Sequence, residues 1–500
     1  MVICGVLSSI YYFSWWFEPN RLKSPVFLVF LVVAVIYYLV RVFSVWYIYL
    51  HAKLPETVEP PSDLTVDVFI PTYNEPLRLV ERTLKAAIAI RYPHHTYLID
   101  DGHKTEYHQL AKSLGAHYLS RPTNEDNKAG NINNALAHST SEFIAIFDVD
   151  HIPAPDFLDR SLGPFSDPKI GFVQVMLSHY NQGESFVADG AAERNDSFFG
   201  APMLGLHGCD NAHAFGSNCI LRRKALVSIG GYKPGLSEDL NTSIHLHANG
   251  WRSHYVPEVL AQGLEPDDLE SFFKQQFKWS SGVFTVLRDI YPRLANRLSM
   301  KMNICYLWRL SCYLAGPMVG IHLLFTILVL FQGSEIATSY FVDYLIHGSP
   351  FVIMSTIITY FVNKNYRTAP LSHAKIPLCG LFLAYGTWPV YTLSFIYSLF
   401  GIKVPFIATP KEAKGGNFLK LIHPQIITVI LLIAAIIWRL YQGIDYSCMF
   451  IISFALLQVF MHGGIFYAVY EGWHKCFQVK TVRLHTRLPV KVEHPYTIVN

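Results

Sequence analysis

Apolar residues gather at the two ends of the chain and leave a long middle section with a different rhythm. Residues 2–17 are apolar and aromatic. Pro25–Leu50 is a longer apolar run whose only charge is Arg41. After residue 300 come the runs 302–331, 336–363, 377–400, 424–441 and 447–470. A bilayer span needs roughly 20 apolar residues, and most of these runs qualify, the first being short. That first run lacks a positive leader and a small-residue cleavage site, so it does not read as a removable signal peptide.

Residues 51–300 alternate short β-rich runs with amphipathic stretches. VDVFIPTY, YLIDD, AHYLS and EFIAIFDVDH read as strands with helical patterns between them. Strands alternating with helices predict βαβ units and a mainly parallel sheet. Ligands on such sheets bind at the carboxyl ends of strands. Tyr73 and Glu75 fall after the first strand, Asp100 and Asp101 after the second, Asp148 and Asp150 after the fourth.

Charge orients the apolar runs. The loops 332–349 and 442–446 carry Glu335, Asp343 and Asp445 but no Lys or Arg, whereas 364–376, 401–423 and 471–500 are basic. The positive-inside rule places the basic segments in the cytoplasm. Run 377–400 then starts and ends on the same side and reads as an interfacial helix, consistent with Gly386, Pro389 and Tyr391 within it. About six spans remain. Arg21 and Lys23 fall outside, against the rule.

Composition agrees with a partly lipid-embedded chain: 51% hydrophobic and 15% charged residues, with mean hydropathy +0.25. A net charge of +3 without an Arg/Lys run gives no reason to expect a nucleic-acid partner. The eight cysteines show no C-x-x-C spacing, so no zinc site is expected. Cys305, Cys312, Cys379 and Cys448 lie in apolar stretches and read as small hydrophobes, with the soluble part facing a reducing compartment.

The chemistry-bearing residues are acidic clusters, each with a plain structural explanation when taken alone. Asp148 and Asp150 are two apart at an expected strand end, where alternation would point both carboxylates to one face. Such a pair suits a divalent cation against a diphosphate, although an isolated D-x-D is more often a solvated turn. Asp100 and Asp101 before Gly102 resemble ordinary turn chemistry. Glu238 and Asp239 follow Ser237, a good N-cap, and acids favour a first helical turn. Lys278 and Trp279 of KQQFKW would be at home at a membrane surface.

The order of the whole set points elsewhere. PTYNEP, DDG, KAGN, DVDH, FGSN, SED and QQFKW, followed by apolar runs, resemble the cellulose-synthase-type branch of family 2 glycosyltransferases. That family's pattern is D, D-x-D, [T/S]-E-D and Q-x-x-R-W. The resemblance covers 66–282 and resumes at 405–412, where PFIATPKE is similar to the family's F-x-V-T-x-K gating loop. It implies a GT-A-type (Rossmann-like) α/β glycosyltransferase domain inserted in an α-helical transmembrane bundle. The expected divisions are N-terminal transmembrane helices 1–50, the cytoplasmic GT-A domain 51–265 and interfacial helices 266–300. A channel region 301–470 with gating loop 401–418 and a basic tail 471–500 follow.

By the same resemblance, Tyr73, Glu75, Asp100 and Asp101 would contact the uracil and ribose of UDP. Lys128 would approach the diphosphate, and Asp148 and Asp150 would hold Mg²⁺ or Mn²⁺. Asp239, with Glu238 beside it, would be the general base. Gln275, Lys278, Thr409 and Lys411 would complete the nucleotide-sugar site. Trp279, Phe215, Gly216 and Ser217 would meet the acceptor. The implied partners are a UDP-sugar donor, a growing polysaccharide and the lipid membrane, with accessory subunits or a homo-oligomer left open. The implied location is the plasma membrane. The implied reaction is processive inverting transfer of glucose from UDP-glucose to a β-glucan that is translocated. Another linkage or sugar (β-1,3-glucan, mannan, chitin, hyaluronan) is the alternative within the family. Lys278 stands where the family has Arg, Gln276 where it often has Arg, and Ala408 where it has Val. His213, Ala214 and Phe215 stand where the family often reads F-F-C before Gly216 and Ser217. A transporter would not need the acidic set, and an inactive scaffold would be expected to lose Asp239 or the D-x-D.

Overall fold

In the computed structural model, residues 1–18, 25–333, 341–366, 377–405, 418–444 and 446–485 are described. The middle of the chain forms ten strands: β1 Val66–Thr72, β2 His95–Asp100, β3 His117–Ser120, β4 Phe143–Ile146, β5 Ile152–Pro153, β6 Ile170–Val175, β7 Ser178–His179, β8 Cys219–Arg222, β9 Arg252–Val256 and β10 Ala261–Gly263. Seven build a sheet in the order β3-β2-β1-β4-β8-β6-β9, and β5-β10-β7 form a small second sheet. The first four strands of the main sheet are parallel, as the alternation of strands and helices predicts. β8 runs antiparallel to both β4 and β6, so the sheet is mixed.

Residue alternation explains the layers. Val66, Val68 and Ile70 of β1, with Phe143 and Ala145 of β4, enter a core on one face of the sheet. Phe69, Ile144 and Ile146 enter a core on the other face. A central strand buried on both faces is a near-continuous apolar run, which is what VDVFI provides.

Among the described residues, five helices are long and apolar enough to cross a membrane: Pro25–Leu50, Met300–Gln332, Val342–Asn365, His423–Gln442 and Cys448–Lys475. Leu378–Gly386 and Trp388–Leu399 form a pair bent by 44°, which makes a sixth if it is one broken span. The break falls at Gly386–Thr387, with Pro389 in the first turn of the second helix, where its missing N–H costs nothing. Val2–Trp16 is shorter than a span. Two apolar clusters tie the sheet domain to these helices. One joins Ile48 to Met203, Leu204, Tyr255 and Trp308. The other joins Leu240 and Ile244 to Val283, Tyr306, Leu310 and Tyr391.

Candidate active site

β4 ends at Ile146, and the backbone turns immediately after Phe147, with the His151 amide donating to the Asp148 carbonyl at 2.9 Å. Asp148 and Asp150 therefore reach one cavity from a turn, not through strand alternation as the sequence pattern suggested. The turn follows a short strand because the Asp148 amide is taken by the Ser217 hydroxyl, at 3.0 Å, instead of a neighbouring strand.

The cavity has a volume of about 680 Å³. Tyr73, Glu75, Asp101, Asp148 and Asp150 line it from the carboxyl edge of the sheet. Glu238 and Asp239 line it from the helix Glu238–Ala248, and Gln275, Lys278 and Trp279 from the helix Leu269–Thr285. Phe215 and Ser217 also line it, as do Trp308, Arg309 and Tyr391 of the apolar helices. Of the residues singled out in the sequence, Asp100 and Gly216 do not reach the wall. Thr409, Lys411 and Ala408 lie outside the described residues.

Lys128 joins the acidic groups. Its ammonium donates to Asp148 Oδ1 at 2.5 Å and to the Gly216 carbonyl at 2.8 Å, and lies 3.7 Å from Glu238 Oε1. Burial opposes its charge, but Asp148 and Glu238 outweigh that and hold the ammonium above its ordinary range. Gly216 has φ +76°, and a Cβ there would stand 3.1 Å from Lys128 Nζ. Its role is to turn the backbone so that its carbonyl reaches the lysine.

Asp239 is half-buried in the cavity wall and its carboxyl is pushed up to about 7, first by desolvation and then by the Glu238 charge. The Leu240 amide, Lys128 and Arg309 pull the other way. A carboxyl in that range can take a proton near neutral pH. Ser237 was expected to cap this helix, but its side chain makes no cap bond. It points at the Trp279 carbonyl, 3.5 Å away. Gly282 permits this approach: a Cβ there would lie 2.2 Å from Ser237 Oγ and 2.7 Å from the Ser237 amide nitrogen. Gly282→Ala should therefore push the QQFKW helix away from Asp239. At least a tenfold loss of turnover with a lower thermal midpoint is expected, since overpacking costs about 1–3 kcal/mol. Unchanged UDP release by the purified variant would contradict this.

Asp100 is fully buried and serves the loop itself. It accepts from the Gly102 amide at 2.7 Å, the Lys104 amide at 2.9 Å and the Tyr118 hydroxyl at 2.8 Å. A structural role thus replaces its expected contact with the nucleotide, because the turn after β2 needs these donors satisfied. Asp101 does line the cavity, held by a two-pronged ion pair with Arg121 at 2.7 and 2.8 Å. The pattern of motifs did not reveal Arg121, Arg194, Arg309 or Tyr391. Arg309, a charge inside an apolar run, was a signal that could have been used. Arg194 carried none. Tyr391 bridges Arg194 Nη2, at 2.8 Å, and Gln276 Oε1, at 2.7 Å. An arginine from a distant helix thus stands one hydroxyl away from the position where the resemblance expects one.

Two cavity carboxylates two residues apart are hard oxygen donors suited to Mg²⁺ or Mn²⁺. Among the described residues no group of three His, Cys, Asp or Glu side chains gathers for a metal. Asp148 and Asp150 thus fit an ion whose remaining ligands come from water and a bound diphosphate, the usual way Mg²⁺ is held.

A mixed sheet with acidic loops at its carboxyl edge, and the Asp239 carboxyl lining the same cavity, is the layout of the GT-A fold. Residues 61–282 match the family described as Glycosyltransferase like family 2. Residues 61–282 thus form a domain of family 2 of the glycosyltransferases, and the chain is similar to cellulose synthase catalytic subunits. It is 31% identical over 415 residues to the Cellulose synthase 1 catalytic subunit [UDP-forming] of Komagataeibacter xylinus, covering 78% of this chain and 53% of that one. It is 32% identical over 323 residues to the Cellulose synthase catalytic subunit [UDP-forming] of Pseudomonas fluorescens (strain SBW25), covering 61% of this chain and 42% of that one. The chain thus spans about half the length of these relatives. The mannosyltransferase PcManGT of Pyrobaculum calidifontis, solved in complex with GDP-Man and Mn2+, shares the fold. Its TM-score is 0.50 at 16% identity, covering 74% of this chain and 98% of that one.

Proposed function

We propose that this protein transfers a hexose from a UDP-sugar to the end of a growing β-glycan, with inversion, and passes the product among its apolar helices. Glucose is the sugar that similarity to UDP-forming cellulose synthases favours. The observation that carries the reading is one cavity lined by Asp148, Lys128, Asp239 and Trp279 on the sheet side and by Trp308, Arg309 and Tyr391 on the apolar helices. A transferase releasing a soluble product has no use for a cavity that continues into such helices.

Asp239 takes the proton from the acceptor hydroxyl, whose oxygen attacks the anomeric carbon opposite the departing UDP. Lys128 and Lys278 face the diphosphate with positive charge. Tyr73, Glu75 and Asp101 frame the nucleoside, and Trp279 offers its ring to the apolar face of the acceptor sugar. Mg²⁺ or Mn²⁺ at Asp148 and Asp150 would neutralise charge on the leaving diphosphate. The catalytic domain faces the cytoplasm, where UDP-sugars are made, with the helices in the plasma membrane.

The test incubates purified protein in lipid nanodiscs with each UDP-sugar plus Mg²⁺ or Mn²⁺. UDP release is measured, and any polymer is digested with linkage-specific glycanases. UDP release with UDP-glucose is expected, together with a product cut by a β-glycanase. Absence of UDP release with every donor would remove the reading.

A further inference from the structure

Three guanidinium groups face the cavity from its helical side: Arg41, Arg194 and Arg309. Arg41 lies in the apolar helix Pro25–Leu50 and Arg309 in Met300–Gln332, both able to cross a membrane. A cation in such a helix is costly and persists where it faces a polar cavity or a partner. Among the described residues, none of the three makes an ion pair.

Their hydrogen bonds are also few. A guanidinium carries five N–H donors. Arg194 gives one, to the Tyr391 hydroxyl at 2.8 Å, and its Nη1 is enclosed with no partner. Arg309 gives one, to Cys312 Sγ at 3.2 Å, and its Nε is enclosed with no partner. Arg41 Nη1 donates to the Trp308 carbonyl and lies 3.5 Å from Ser311 Oγ. Aromatic rings supply part of the remaining stabilisation. Arg41 lies 5.2 Å from the Trp308 ring, Arg194 5.7 Å from Phe272, and Arg309 5.8 Å from Phe198 and Phe215.

Among the described residues, none of the cavity's carboxylates lies within ion-pair distance of these arginines. Asp101 pairs with Arg121, Asp148 and Glu238 share the one ammonium of Lys128, and Glu265 lies 3.2 Å from His179, while Glu75 and Asp150 also line the wall. Asp239 feels Arg309 through space without pairing with it. Half-buried guanidiniums with unused donors, set among aromatic rings, suit a sugar ring that also carries an anion: the rings take its C–H face and the forks take a carboxylate.

We infer that the helical side of the cavity binds an acidic glycan, and that Arg194 and Arg309 select sugar units bearing a carboxylate over neutral ones. The inference rests on the glycosyltransferase reading of the same cavity and narrows it: the polymer held beyond the base is not plain neutral glucan. Arg194 sets the class of acceptor and takes no part in binding UDP.

A matched pair of probes tests this, β-1,4-linked hexaglucuronate and cellohexaose, which differ in oxidation at C6. Binding of each to the full-length protein in nanodiscs is followed by tryptophan fluorescence, since Trp279 and Trp308 line the cavity. UDP binding is measured on the same sample. The acidic hexasaccharide should bind at least about tenfold more tightly at low salt, as expected of charge-assisted hydrogen bonds. The ratio should fall toward one in Arg194→Gln and Arg309→Gln and be largely kept in Arg194→Lys, with UDP binding unchanged. Equal or tighter binding of cellohexaose to the wild type, or binding of neither while UDP binds, overturns the inference. Dodecyl phosphate binding ahead of both sugars also overturns it, assigning the cations to a lipid phosphate. The wild-type comparison stands even if the variants fold poorly. Loss of UDP binding by the wild type would instead strike the glycosyltransferase reading itself.

Discussion

Asp239→Asn should abolish sugar transfer while leaving UDP bound. An amide cannot accept the acceptor's proton, and positioned acid–base groups typically contribute about a hundred- to ten-thousand-fold. Wild-type kcat/KM should rise with pH through the neutral range. Activity needs the ionised carboxylate, and burial beside Glu238 has raised its pKa to about 7. Lys128 pulls that pKa down, so Lys128→Gln should move the rise to higher pH. The stability sign is opposite. A carboxyl whose pKa is raised on folding favours the folded state when protonated, so its contribution is lost as pH rises toward about 7. Asn carries no charge to bury. The variant should therefore be inactive yet at least as heat-resistant as the wild type at pH 8. An inactive variant that is also markedly less stable at that pH would assign Asp239 a structural role.

Asp150→Ala and Asp148→Ala should each lower turnover on the order of a thousand-fold, because a metal-bridged diphosphate draws several kcal/mol from charge neutralisation. The two should differ in detail. Asp148 also holds Lys128 at 2.5 Å, so its loss frees the ammonium and partly offsets the change for UDP alone. Asp150 is nearly inaccessible, 2% exposed, and its removal should raise the apparent dissociation constants for Mn²⁺ and UDP together. Titrating Mn²⁺ at fixed UDP and UDP at fixed Mn²⁺ measures this linkage. Full activity of either variant in excess EDTA would show that no such ion operates.

The strand-and-helix alternation of 51–300 and the apolar runs flanking it were legible because both depend on local periodicity: two residues for a strand face, long unbroken runs for a bilayer helix. VDVFI became a central strand, as a near-continuous apolar run of strand length requires. The motif residues mostly converge on one cavity because loops at one edge of a sheet necessarily cluster. Asp100 shows the limit. Its spacing before Gly102 resembles a ligand-facing turn, yet the Gly102 and Lys104 amides and the Tyr118 hydroxyl of the neighbouring strand claim it, and apolar periodicity records nothing of how a turn directs its donors.

Spacing along single segments was enough for the strand-and-helix order of 51–300, for the carboxylates at the sheet's carboxyl edge and for the helix carrying Lys278 and Trp279. Packing was needed for the rest: β8 enters the sheet antiparallel, and Asp148 and Asp150 act from a turn. Packing also lets one helix touch Ser237 at Gly282, and brings Arg41, Arg194 and Arg309 to the same space. The difference is one of range. Periodicity records which face of one element is apolar, whereas a buried charge's partners are set by elements hundreds of residues apart that meet only when the chain packs.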